Sequence, residues 1–361
     1  FREIYYWDSY FTSLGLVADH QDELFKNMVR NFAHLVLSIG RIPNGNRDYY
    51  RSRSQPPFFS HMVKLWESQY GISSALTFLP ALKKEYEFWM THSDRVQPGE
   101  ADLRVVGLRR GVLNRYWDDK DTPRPEAYKE DVALAQQAQL QRHRPKEEVF
   151  RDLRAGAESG WDFSTRWFAD PQEFASVQTS AYVPIDLNAL LYHLELLLSH
   201  FCKVQGESGE AKVFADKAQV RARLVREYLW DEKSGTFRDY NWRKGHASPE
   251  ETVAMVVPLF TGLATPHQAQ RVAQNLRLKF LHAGGLVTTL RRSGQQWDSP
   301  NGWPPHQWMA YMGLRRYGIN DLSDEIKTRW LQLNQKVYRS TGKLMEKYNV
   351  QDTHLEAGGG E

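Results

Sequence analysis

The sequence predicts an all-α protein, one domain of stacked helical hairpins, and three observations point there. Apolar residues recur at three-and-four spacing through most of the 361 residues. Strand-like runs are few. No low-complexity linker divides the chain, and the helical segments pair off at fairly even intervals.

In chain order, Leu24, Met28, Phe32 and Leu35 share one helical face, and Gly40 follows as a stop. The same spacing predicts helices near 58–70, 74–91, 126–142, 186–204, 209–229, 250–263, 266–281, 304–317 and 322–338. RVVGLRRGVLNRYW at 104–117 reads as a hairpin, and SGTFRDYNW at 234–242 as a short ribbon after a turn. Between the helices lie IPNGNRDYYRSRSQPPFF at 42–59, RYWDDKDTPRPE at 115–126, ESGWDFSTRWF at 158–168, GQQWDSPNGWPP at 294–305 and EKYNVQDTHLEAGGGE at 346–361. Each concentrates Arg, Asn, Gln, Trp or carboxylates, and functional residues collect on loops held by rigid scaffolds.

Composition narrows the partners. Lysine plus arginine total 47 against 44 acidic residues, a net charge of +3 with no basic block, so nucleic acid is not expected. No apolar run reaches the roughly 18 residues of a membrane span. Cys202 is the one cysteine, which excludes an intramolecular disulfide and any multi-cysteine metal site and leaves core filling as its role. No basic, apolar leader opens the chain, so a signal peptide is expected to be absent or already removed. The sequence holds no H-E-x-x-H, G-x-S-x-G or G-x-G-x-x-G, and STGK at 340–343 lacks the upstream glycine of a phosphate loop, so neither metal nor cofactor is expected.

Aromatic residues are the one excess: 12 Trp, 17 Tyr and 17 Phe. Trp precedes Asp at Trp7-Asp8, Trp117-Asp118, Trp161-Asp162, Trp230-Asp231 and Trp297-Asp298, too irregularly for a propeller repeat. Asp118 and Asp119, ahead of KDTPRP, and Asp231, ahead of EKSG, read as turn residues. The remaining vocabulary of rings, carboxylates, amides and arginines suits a neutral polyhydroxylated ligand: a sugar lays its C–H face on an aromatic ring while planar groups grip its hydroxyls. Cutting a glycosidic bond needs one carboxylic acid to protonate the leaving oxygen and a second carboxylate to act on the anomeric carbon, directly or through water. Asp162, between Trp161 and Phe163, is the acid candidate, because apolar neighbours raise a carboxyl pKa. Glu158 reads as scaffold, paired with Arg154 four residues away if that segment is helical.

At this point the segments resemble a family. FREIYYWDSYFTSLGL at 1–16 and QWDSPNGWPP at 296–305 are similar to the two signature segments of the α,α-trehalases of glycoside hydrolase family 37. IPNGNRDYYRSRSQPP, LNRYWDDKDTPRPE, RDLRAGAESGWDFSTRW and LMEKYNV resemble that family in order and approximate spacing, so the resemblance spans the whole chain. It implies a single (α/α)6 toroid over 1–361 with small hairpin excursions, and hydrolysis of trehalose to two glucoses with inversion by a monomer. The same resemblance makes Asp162 the general acid and Glu346, in E-K-Y, the base that activates water. The family's sugar-binding positions fall on Arg2, Trp7, Asp8, Asn44, Arg53, Ser54, Gln55, Arg124, Pro125, Glu126, Gly160 and Glu361. Gln296, Trp297 and Asp298 either touch sugar or shape the pocket wall.

The chain starts inside the family's first segment and stops at the glutamate of its glycine-rich loop, so the resemblance implies truncation at both ends and a lid that is open to doubt. The family has periplasmic and cytoplasmic members, of which the periplasm is the expectation here. Two rivals stay open: another inverting α-glucosidase on the same fold, and a catalytically silent sugar-binding protein.

Overall fold

In the computed structural model, which describes residues 3–354, predicted spacing becomes helix at nearly every place it occurs. Helix α1 spans Tyr6–Ala18 and α2 spans Asp22–Ile39. α2 buries Phe25, Val29, Phe32, Ala33 and Val36 along one stripe and ends on Gly40, whose φ of 89° is a left-handed cap that glycine adopts without strain. There follow α3 (Phe59–Tyr70), α4 (Ile72–Ala75), α5 (Leu79–Trp89), α6 (Tyr128–Arg142), α7 (Lys146–Glu158), α8 (Ile185–Val204) and α9 (Ser208–Tyr228). The last four are α10 (Val257–Thr261), α11 (Pro266–Asn275), α12 (Pro304–Arg316) and α13 (Asn320–Thr341).

The expected boundaries move where proline intervenes. The helix expected over 74–91 is broken, because Pro80, with no N–H to donate, fits only the first turn of a helix and so restarts the chain as α5. Pro258 does the same: only Val257–Thr261 of the 250–263 segment is α-helical, with a 3-10 turn at Val253–Val256 before it. α11 opens on Pro266 and a reciprocal capping box between Thr265 and Gln268, then loosens into a π-turn over Leu276–Phe280. The sequence marks α1 and α7 only as motif stretches.

Sequential helices pack in pairs, α1 on α2, α6 on α7, α8 on α9 and α12 on α13. The chain of contacts continues through α8, which also meets α3, α5 and α10, and through α10 on α12. α8 is buried nearly all round by Leu187, Leu190, Leu191, Leu194, Leu198 and Phe201, and Cys202 fills the core there as expected. α3 packs on α2 and α4, and α5 packs on α2; the arrangement is the (α/α)6 toroid. The excursions are short antiparallel ladders. The hairpin expected at 104–117 forms between Val105–Leu108 and Gly111–Asn114, and the ribbon near 234–242 pairs Trp230–Asp231 with Thr236–Phe237. One small ladder matters for the site: Asn301–Gly302 pairs with Tyr348–Asn349.

Candidate active site

A cavity of about 490 Å³ opens where helices begin and end. The first turn of α1 contributes Trp7 and Asp8, the first turn of α12 contributes Pro304 and Pro305, and the last turn of α7 contributes Ala157. Loops supply Asn44, Arg53, Gln55, Glu126, Gly160, Asp162, Gln296, Trp297 and Glu346, so eleven of the sequence-predicted positions meet in one cavity. Ser54, Arg124, Pro125 and Asp298 sit outside its lining, and Arg2 and Glu361 lie outside the described residues.

The acid-bearing turn follows from α7. Its last residue is Glu158; Gly160, at φ 73°, then turns the chain beneath Trp7, and Asp162 follows. A Cβ on Gly160 would fall 2.8 Å from the Trp7 ring, so the turn needs both the left-handed backbone and the missing side chain. Gly160→Ala is expected to cost about 1–3 kcal/mol of stability, read as a lower denaturation midpoint, and an unchanged midpoint would remove this account of the turn.

Burial pushes the Asp162 carboxyl up to about 6, against the lowering pull of Arg124 and Arg53. Asp8 is likewise pushed up to about 6, by burial first and then by the negative charges of Glu346 and Asp162. That influence places the Glu346 and Asp162 carboxyls each within electrostatic reach of Asp8 at the cavity. Glu346 keeps a 73% exposed side chain beside Lys347. A half-buried acid that holds its proton near neutrality and an exposed carboxylate on the same cavity can respectively give and take a proton on a bound neutral molecule.

The polar floor is built by Arg53. Its Nε donates to Asn44 Oδ1 at 2.6 Å, Nη2 pairs with Glu126, and Nη1 lies 3.5 Å from Asp118. Gln55 accepts the otherwise unpaired backbone N–H of Trp7 at 3.1 Å, tying α1 to this loop. Arg124 is clamped by Asp131 through Nε and Nη2 at 2.7–3.2 Å and lies over the Phe163 ring, from where its charge acts on Asp162. Ser54 is occupied by scaffold bonds, its hydroxyl donating to the Ile42 carbonyl and its N–H to Glu158.

The wall is aromatic. Trp297 stacks on Trp303 at 3.8 Å and on Trp161 at 5.4 Å, with Trp7 tilted 5.9 Å away and His306 edge-on to Trp161. Burial pushes the His306 imidazole down to about 3, so this wall is uncharged at neutral pH.

Two expectations are corrected. Glu158 does not pair with Arg154: Arg104 reaches it from the hairpin at 2.7 Å, while Arg154 turns to Asp118 and to Thr122 and Pro123 of the next loop. Asp118 is more than a turn residue. One oxygen caps the Lys120 N–H, but the fully buried carboxylate also carries Arg53 and Arg154. Sequence reasoning also passed over Tyr50, Phe11 and Trp303, which line the cavity; Tyr50 lies under the Arg53 guanidinium, a stacking that its place beside Arg51 and Arg53 in the sequence could have suggested. Among the described residues the ligand atoms of Cys202, Glu207 and Glu210 cluster closely enough for a metal, but the Lys83 ammonium already bridges both glutamates.

Fold and cavity together define a helical-toroid protein with an acidic, aromatic cavity at its helix ends. A family model described as Trehalase matches residues 1–361. The chain is 48% identical to the periplasmic trehalase of Pseudomonas aeruginosa, over all of this chain and 66% of that protein. It is 49% identical to the periplasmic trehalase of Xanthomonas oryzae pv. oryzae, over all of this chain and 63% of that one. The structure of neutral trehalase Nth1 from Saccharomyces cerevisiae superposes with a TM-score of 0.85 at 30% identity, across 99% of this chain and 69% of that chain. The chain belongs to the trehalase family. It spans about two thirds of the length of the curated relatives it matches.

Proposed function

We propose that this chain acts as one catalytic unit, a monomer in the periplasm, that hydrolyses α,α-trehalose to two glucose molecules with inversion. The observation that carries the reading is that burial holds Asp162 protonated to about pH 6 in the cavity that Glu346 also lines. In the reaction, Asp162 gives its proton to the bridging oxygen as the C1–O bond breaks, which releases one glucose. Glu346 takes a proton from a water molecule whose oxygen bonds to C1 on the opposite face, so the second glucose emerges with inverted configuration. Room for that water implies carboxyl groups roughly 6.5–9.5 Å apart.

The other cavity residues bind. Trp7 offers a flat face to a sugar ring, and Asp8, Asn44, Gln55 and Glu126 offer planar groups to vicinal hydroxyls. Arg53 and Arg124 add permanent positive charge, which limits how far burial can raise Asp162. Ser54, Pro125 and Gly160 shape the backbone between these groups; Arg2 and Glu361, outside the described residues, are proposed as further sugar-binding positions.

Proton NMR of freshly hydrolysed trehalose tests the reading. One α- and one β-glucose per cleavage is the expected result; two α-anomers would overturn inversion. Turnover of maltose equal to or faster than that of trehalose would overturn the substrate.

A further inference from the structure

Three loops meet at residues 296–302, and hydrogen bonds there reach the two segments that the reaction must hold still. Gln296 Nε2 donates to the Asp162 carbonyl at 2.5 Å, and the Trp297 N–H donates to the Phe163 carbonyl at 3.1 Å. Asp298, fully buried, accepts from the Ser164 hydroxyl at 2.7 Å, the Thr165 N–H at 2.9 Å and the Thr289 hydroxyl at 2.9 Å. Four consecutive residues of the acid loop, 162 to 165, are thus gripped from one side. From the other end, Asn301–Gly302 pairs with Tyr348–Asn349, and the Val350 N–H donates to the Pro300 carbonyl at 3.0 Å, which fixes the loop that begins at Glu346. Lys347 closes the gap: its Nζ lies 3.4 Å from Gln296 Oε1 and 3.6 Å from Glu346 Oε2.

We propose that residues 296–302 are a strap that sets the separation between the Asp162 and Glu346 carboxyls, with Asp298 the positioning residue on the acid side and Gly302 on the base side. The inference rests on the proposed roles of Asp162 and Glu346 and deepens them. Asp298 acts only through others, since it lies outside the cavity lining and spends its oxygens on the acid loop and its neighbours. Gly302 acts through space. A Cβ there would meet the Leu286 carbonyl and the Val350 side chain, both at 2.6 Å, so any larger residue displaces the ladder that carries the base loop. Misplacing a reacting group by about 1 Å can cost roughly 100-fold in rate, and the two ends of the strap misplace different groups.

The test compares trehalose with α-glucosyl fluoride, whose fluoride leaves without being protonated, so its hydrolysis needs the base and not the acid. In Asp298→Asn the ratio of trehalose to fluoride turnover is expected to fall about tenfold or more, and in the milder Thr165→Val about threefold. In Gly302→Ala both rates are expected to fall together with the ratio kept. A merely structural role would lower both rates alike in every variant. Hydrogen exchange supplies a readout independent of turnover: amides 163–166 should exchange faster in Asp298→Asn, and amides 347–350 in Gly302→Ala. An unchanged ratio in both acid-side variants, or a shifted ratio in Gly302→Ala, overturns the strap. So does exchange that quickens at both loops alike. Trehalose turnover by the wild type decides the underlying reading separately.

Discussion

Asp162→Ala and Glu346→Ala are each expected to cut trehalose turnover by roughly 10²–10⁴-fold, the usual contribution of a positioned acid or base. Asp162 is half-buried, and its carboxyl is held up at about 6 because burial outweighs the pull of Arg124 and Arg53. As acid it works only while protonated, so turnover should decline as pH rises past about 6. Glu346 is exposed, and in its proposed role it takes the proton from water. Burial of Asp162 also has a stability signature that separates lost chemistry from lost fold. Its folded form binds a proton more tightly than the unfolded chain, for which the ordinary value is 3.8. Its cost to the fold is therefore absent below about pH 4, grows as pH rises to about 6 and is complete above that. Asp162→Asn should then be inactive yet more stable than wild type at pH 7–8, by about 1–3 kcal/mol, with the difference vanishing near pH 4. A variant at either position that turns over trehalose at close to the wild-type rate would remove that residue from its role.

What the sequence disclosed depended on how locally each feature is encoded. α2 was legible because one face is apolar and the other wet, with a glycine at the end. α7 was not: after its exposed first turn Asp152, Arg154 and Glu158 are buried along with Val149, Phe150, Leu153 and Ala155, so residue type no longer tells the wet face from the packed one. α1 carries so many aromatic residues that its spacing is blurred, and only Ser9 and Ser13 among its buried set betray that small groups face the packing surface. Asp162 stood out through its neighbours in the chain. Its Arg124 partner lies 38 residues away in sequence, since 162 − 124 = 38, and no local pattern reports such a contact. Asp118 shows the same limit: its turn role toward Lys120 is local and was read, while its hold on Arg53 and Arg154 is tertiary and was not.

Glu158→Ala is expected to destabilise the protein by about 3–5 kcal/mol, although the residue touches no part of the cavity. The carboxylate is fully buried and accepts four hydrogen bonds from three segments: two from the Arg104 guanidinium beside the hairpin, one from the Ser54 N–H at 2.8 Å and one from the Trp117 N–H at 2.7 Å. Removing it strands two backbone donors and leaves the Arg104 charge, 3% exposed, leaning on Asp119 and the Trp117 carbonyl. An unpaired buried group costs more than the pair contributes, so Glu158→Gln, which keeps an acceptor but loses the charge, should fall between alanine and wild type. A double variant that also replaces Arg104 with methionine should lose less than the sum of the two single losses, because the stranded charge is gone. The effect reaches the site through Ser54, whose neighbours Arg53 and Gln55 line the cavity. Trehalose KM should therefore rise in whatever fraction of Glu158→Ala remains folded. An unfolding free energy within about 0.5 kcal/mol of wild type, the range ordinary for surface changes, would show that Glu158 does not hold the three segments together.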